Sequence, residues 1–182
     1  MGRLEEAVTF GKRALDIRRV TGGQDDPKVA ISLNNLALIE LAGGEFAAAE
    51  VRIQEALAIG EKTMPDHPTL AAFLINLSEA RQGQNDTLGA EPLLRRAVSI
   101  LEKSLPGSPR LADALTALAA VFITNDKLSG AETLLSRAAV IREQTFGVDS
   151  EQASRTRHHL SQVLRLRNRS TEAAKLERTA FR

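Results

Sequence analysis

Residues 33–60 read LNNLALIELAGGEFAAAEVRIQEALAIG, and this stretch decides the fold. It opens on an apolar, helix-forming run from Leu33 to Ala42, breaks at Gly43-Gly44, and resumes as a second helix-forming run from Phe46. Leu36-Ala37 marks the first run, and two alanines seven apart, Ala49 and Ala56, mark the second. A connection this short forces the two helices to lie antiparallel.

Both marks recur along the chain. The alanine pairs are Ala7 and Ala14, Ala49 and Ala56, Ala90 and Ala97, Ala131 and Ala138, and Ala173 and Ala180, with first members 42, 41, 41 and 42 residues apart. Between them run Leu36-Ala37, Leu77-Ser78, Leu118-Ala119 and Leu160-Ser161, spaced 41, 41 and 42. A third series marks helix starts: Asp26-Pro27, His67-Pro68, Ser108-Pro109 and Ser150-Glu151. Proline suits a first helical position because its missing N–H has no intrahelical partner there, and Asp or Ser just before it accepts from the free amides of the first turn. His67 is the weak cap of the four. Gly22-Gly23, Pro65, Pro106-Gly107 and Gly147 break the preceding helices.

The spacing predicts one all-α repeat domain over residues 1–182. A leading helix in 1–22 runs from Leu4 to Arg19, and four helix pairs fill 27–64, 68–105, 109–146 and 151–182. The first helices span Pro27 to Ala42, Pro68 to Gln82, Pro109 to Thr124 and Glu151 to Leu166. The second helices span Phe46 to Thr63, Leu88 to Ser104, Leu128 to Thr145 and Thr171 to the end. One pair buries too little surface alone, so stability must come from stacking on neighbours. Alanine at a spacing of seven returns to nearly the same helix face and lets axes approach closely. HEAT or armadillo repeats have similar length but do not explain the Leu-small series with alanine at fixed offsets in the partner helix.

The Leu-Ala pair followed by Gly44-Glu45-Phe46-x-x-Ala49, Ile53, Ala56 and Leu57 resembles the tetratricopeptide repeat. Leu33-Asn34-Asn35-Leu36-Ala37, Glu55-Ala56-Leu57-Ala58-Ile59-x-Glu61-Lys62 and Asp66-His67-Pro68, with the longer period, resemble its kinesin light chain variety. The resemblance covers nearly the whole chain and implies a right-handed superhelical solenoid whose first helices line a concave, partner-binding side. The chain departs from the pattern at Thr87 and Ser170, in the place of Phe46 and Leu128, and at Gly11 and Glu177, in the place of Ile53, Leu94 and Leu135. Opening on a second-type helix and stopping within another, it reads as a piece of a longer protein.

Carried over by register from each Leu-small pair, the concave positions are Ile31, Asn34, Asn35 and Leu38; Ala72, Ile75, Asn76 and Glu79; Asp113, Thr116, Ala117 and Ala120; and Arg155, His158, His159 and Gln162. Each set follows i, i+3, i+4, i+7 and shares one side of its helix. Asn35 and Asn76 hold equivalent places, where an amide that donates and accepts can grip the main chain of an extended peptide, or can bond locally instead. In the last repeat Arg155, Arg157, Arg165, Arg167, Arg169, Lys175, Arg178 and Arg182 oppose only Glu151, Glu172 and Glu177, an imbalance that could orient an acidic ligand.

Composition excludes much else. The net charge is +1, and aromatic residues are 3% of the chain, all phenylalanine, so the core is Leu, Ala, Ile and Val. Without cysteine there is no disulfide framework and no thiolate chemistry, and the cytoplasm is the expected compartment. The amino end turns acidic at Glu5-Glu6 where an export signal needs apolar residues, and Leu115 to Ile123 is about half a membrane span. His158-His159 points its rings about 100° apart with no acid at i+4, so no metal is expected. Ser161 near His158 has no glycine elbow or supporting acid, and no phosphate-cradling glycine motif exists, so neither catalysis nor a cofactor is expected. No aromatics lie among the arginines for base stacking, which argues against nucleic acid. The expected function is a scaffold that binds a protein or an acidic or extended peptide, with self-association through the end helices open to it. The alternative is a regulatory or sensor segment of a larger signalling or transcription-regulating protein.

Overall fold

Nine α-helices and no strand make up the described part of the chain; the protein is described by a computed structural model over residues 2–178. In chain order they are α1 (Gly2–Gly22), α2 (Pro27–Ala42), α3 (Phe46–Thr63), α4 (Pro68–Gly83), α5 (Thr87–Ser104), α6 (Pro109–Thr124), α7 (Leu128–Phe146), α8 (Glu151–Leu166) and α9 (Ser170–Arg178). These are the expected leading helix and four pairs. Helix α1 is longer at both ends than expected, and the other bounds agree within one residue up to Arg178. Ala180 and Arg182, singled out in the sequence, lie outside the described residues.

Helix starts follow the caps. Asp26 Oδ1 accepts from Lys28 N at 2.7 Å, Ser108 Oγ from Leu111 N at 3.3 Å and Ser150 Oγ from Ala153 N at 3.3 Å. His67, the weakest cap by residue type, also caps: its Nδ1 accepts from Thr69 N at 3.2 Å. Each such bond satisfies one orphan amide and is worth about 1 kcal/mol. The turns within pairs repeat as well. Gly44, Asn85, Asp126 and Asn168 all take a positive φ, between 57° and 80°, one residue type tolerant of it at each place. Just beyond, the amides of Glu45, Asp86, Lys127 and Arg169 return to the carbonyls of Glu40, Arg81, Phe122 and Leu164 at 2.7–2.9 Å, the six-to-one closure that ends a helix on a left-handed residue.

The chain divides into two compact units, Met1–Ile100 and Leu101–Arg182, with the boundary inside α5. In the first, α1 packs on α2, α2 on α3 and α3 on α4, and α2 also meets α4. In the second, α6, α7, α8 and α9 pack in succession. Every member of the Leu-small series is buried in its unit, as are Ala49, Ala56, Ala90, Ala97, Ala131, Ala138 and Ala173. Ala14 differs and is exposed, and Ala7 is half-buried. Helix α1 meets α2 through Leu15 and through Gly11, where an added Cβ would stand 3.0 Å from Leu36 Cδ1. The alanine seam lies about 70° round the helix from that contact.

Where a second helix meets the next first helix, volumes compensate. Gly60 lies under Phe73 and Leu70, with an added Cβ only 2.9 Å from Leu70 Cδ1 and 3.4 Å from the Phe73 ring. At the corresponding places Leu101 accompanies Ala114, while Arg18 donates to Ser32 Oγ and Arg142 to Thr156 Oγ1. A large side chain on one helix is matched by a small one on the other, which keeps the interior at crystal-like density.

Second helices are also tied to one another by charge. Glu61 of α3 pairs with Arg96 of α5 at 2.5 Å, and Glu102 at the end of α5 pairs with Arg137 of α7 at 2.5 Å, one period later. At the first such junction the signs are exchanged: Arg19 of α1 pairs with Glu55 of α3.

Candidate functional site

In the first unit, α2 and α4 carry the candidate positions, and most stand open. Ile31 and Leu38 are 38% and 43% exposed, large aliphatic side chains left in solvent two turns apart on one helix face with exposed Asn35 between them. On α4, Glu79 is exposed and Ala72, Ile75 and Asn76 are half-buried. Asn34 is the exception on α2, buried to 6% exposure, and its Oδ1 accepts from Asn76 Nδ2 at 2.8 Å. The pair spans α2 and α4. Asn35 and Asn76, equivalent by register, therefore differ in circumstance: Asn35 faces solvent, whereas the Asn76 amide nitrogen is engaged across the helices.

The second unit presents different chemistry on the equivalent face. Asp113 is exposed and accepts from Arg142 Nη2 at 2.7 Å. Thr116 is half-buried, its hydroxyl donating to Ala112 O at 2.7 Å, with Ala117 half-buried and Ala120 exposed beside it. On α8, Arg155 pairs with Glu151 at 2.6 Å, and Gln162 Nε2 lies 3.1 Å from His158 Nε2. The His158 and His159 rings are tilted at 54° with centroids 6.3 Å apart, so they do not converge on one point. Partial loss of solvent holds the His159 imidazole below the usual histidine value, and His158 and Arg142 add to the effect.

A hollow of about 280 Å³ opens beside these residues, lined by Pro109, Asp113, Arg142, Phe146, Gln152 and Arg155. Arg142, Phe146 and Gln152 escaped the sequence reading, which looked only along the first helices at fixed offsets. Arg142 and Phe146 come from the end of α7, a second helix. One signal for Arg142 was present in the sequence: it stands where Gly60 and Leu101 stand in earlier copies.

The Ser161 hydroxyl is fully buried and donates to the His158 carbonyl at 2.8 Å, and it lies 2.7 Å from Glu177 Oε1, so it does not meet an imidazole. Among the described residues no group of three or more His, Asp or Glu is gathered to hold a metal, and no helix is long and apolar enough to cross a membrane.

No curated protein sequence matches the chain. Among solved structures, the nearly identical TPR-like repeats of a Podosopora anserina protein assigned as a kinesin light chain superpose with a TM-score of 0.84 at 24% identity, covering 98% of this chain and 86% of that one. BtubC (BKLC) from P. vanneervenii gives 0.82 at 18% identity, covering 98% and 73%. A Rap protein complexed with Competence and Sporulation Factor gives 0.78 at 14% identity, covering 98% of this chain but 48% of that one. Identities this low carry the fold and not the activity. Tetratricopeptide repeat families match residues 1–62 and 111–152 directly, together more than half of the sequence. With the buried Leu-small and alanine series, the repeated left-handed turns and these matches in hand, the chain belongs to the tetratricopeptide repeat family.

Proposed function

We propose that the protein is a binding scaffold that holds a peptide or partner domain against the outward faces of its first helices, α2 and α4 in the first unit and α6 and α8 in the second. The observation that carries this reading is the exposure of Ile31 and Leu38 around Asn35, on a helix whose register neighbours Leu33, Leu36 and Ala37 are buried to 1% exposure or less. Aliphatic side chains flanking a free amide supply both contact area and a donor and acceptor for a ligand main chain. In the second unit the register-equivalent positions Asp113, Thr116, Arg155, His158, His159 and Gln162 are polar and suit a polar ligand surface.

Peptides selected from a random displayed library on the full chain, then titrated by fluorescence anisotropy, test the assignment. Asn35→Ala with Asn76→Ala weakens the selected peptides by roughly three- to tenfold, the loss expected for one or two hydrogen bonds. Leu38→Asp weakens them further, and Val51→Asp, on an exposed part of α3, leaves them unchanged. Equal affinity for all three variants would refute binding on the α2 and α4 face.

A further inference from the structure

The last hairpin breaks the apolar pattern of the repeat at positions that elsewhere form the core. Arg157 stands three residues before Leu160, where the earlier first helices carry Leu33, Leu74 and Leu115, each buried to 1% exposure or less. It is nearly as buried as they are, at 3%. Its Nη1 donates to Glu143 Oε1 of α7 at 2.9 Å and its Nη2 to Ser154 Oγ at 3.2 Å, while Nε is buried with no acceptor. Glu177 of α9 occupies the place of Ile53, Leu94 and Leu135, and takes Ser161 Oγ at 2.7 Å and Arg165 Nη2 at 2.6 Å. Arg169 reaches Glu132 of α7 at 2.8 Å, and Arg167 pairs with the same carboxylate. Between α7 and α9 a hollow of about 480 Å³ remains over Leu160 and Leu164.

Helix α8 still buries Ala153, Leu160, Val163 and Leu164, but guanidinium, carboxylate and hydroxyl contacts tie α8 and the turn after it to α7, and at Arg157 and Glu177 polar groups stand where the earlier hairpins use leucine and isoleucine. A buried ion pair recovers its desolvation cost only when all its polar atoms are bonded, and Arg157 falls short of that. The ion pairs are also partly open, with Glu143, the partner of Arg157, 31% exposed and Arg165, the partner of Glu177, 50% exposed, so dissolved ions weaken the contacts.

We propose that α8–α9 is a detachable hairpin, which opens from α7 as one unit while α6 and α7 stay folded, and opens more readily as ionic strength rises. Arg155, His158, His159 and Gln162 ride on α8, so each opening withdraws them from the face formed with α6. That consequence alone rests on the binding reading above; the opening itself does not.

Native-state hydrogen exchange on the full chain, at about 0.1 M and 1 M NaCl, reads the opening directly. Amides of α8 are expected to exchange at least about tenfold faster than those of α6 and α7, and to gain further in high salt while α6 and α7 do not. Arg157→Leu, which restores the residue of the other three copies, raises α8 protection by about tenfold or more and blunts the salt response. Glu177→Leu, acting in the same direction from α9, provides the check should the first variant not fold. Exchange of α8 and α6–α7 in one event, a salt-independent α8, or protection lowered by folded leucine variants would overturn the proposal.

Discussion

At the scale of single residues, six of the eight ladder alanines in α1 to α7 are fully buried, and the two of α1 are not. Ala56 and Ala97 are fully buried between packed helices, whereas Ala14 is exposed on α1. Ala7, with which it is paired, is only half-buried, so α1 differs from α3, α5 and α7 along the whole seam. Ala56→Leu or Ala97→Leu adds three carbons where no space exists, at about 1–3 kcal/mol of strain. For a chain of this length that lowers the thermal midpoint by about 2–10 °C, measurable by circular dichroism. Ala14→Leu leaves it within about 1 °C, because a surface substitution away from a cap or core costs little. Equal losses at all three positions would show that the ladder marks helix propensity instead of close approach. The sequence exposed the periodicity but not this difference, because periodicity identifies a face and only the neighbouring helix decides whether that face is covered. Asn34 and Asn76 teach the same lesson: their offset placed both on an open side, and the distance between α2 and α4 turned them into a bonded pair.

At the scale of elements, caps and turns were readable because their causes are local. Asp26, Ser108 and Ser150 bond amides two or three residues away, and the left-handed Gly44, Asn85, Asp126 and Asn168 are types that tolerate the conformation. The ion pairs joining second helices were not readable, since Glu61 and Arg96, or Glu102 and Arg137, meet only after a whole hairpin has been folded between them. Arg19 with Glu55 inverts the sign of that series, so α1 matches the second helix it rests on and would meet like charge at the position of Arg96 or Arg137. The inversion favours one order of hairpins over others, a form of specificity that costs little stability. Glu55→Arg alone brings two guanidiniums together and is expected to destabilise by about 0.5–1 kcal/mol, and adding Arg19→Glu recovers most of the loss, as the part-exposed pair allows. A double-mutant cycle in chemical denaturation measures the coupling; a cycle that closes at zero would remove the pairing from the account.

At the scale of the whole molecule, charge follows the division into units. Residues 1–100 hold fourteen acidic against eleven basic side chains, and residues 101–182 hold nine against thirteen. Counted from sequence, the basic end invites an acidic partner and, taken alone, a nucleic acid. Pairing reduces that field. Arg155, Arg157, Arg165, Arg167 and Arg169 are each held by a carboxylate, so few of the counted charges remain to displace counterions from phosphates. Nucleic-acid affinity depends on the number of phosphates neutralised and falls steeply with salt, and base stacking would require aromatic side chains, whereas residues 151–178, which carry these arginines, hold no Phe, Tyr or Trp. Anisotropy with labelled random-sequence single- and double-stranded DNA is therefore expected to show no saturable binding at about 150 mM salt, a condition under which non-specific binders already weaken. A short poly-glutamate peptide, which needs only one or two cationic contacts, binds weakly at low salt, and Arg155→Ala reduces that binding. Tight DNA binding with a steep salt slope would mean that the arginines exchange their internal carboxylates for phosphate, and would move the functional assignment from peptide scaffold to nucleic-acid carrier.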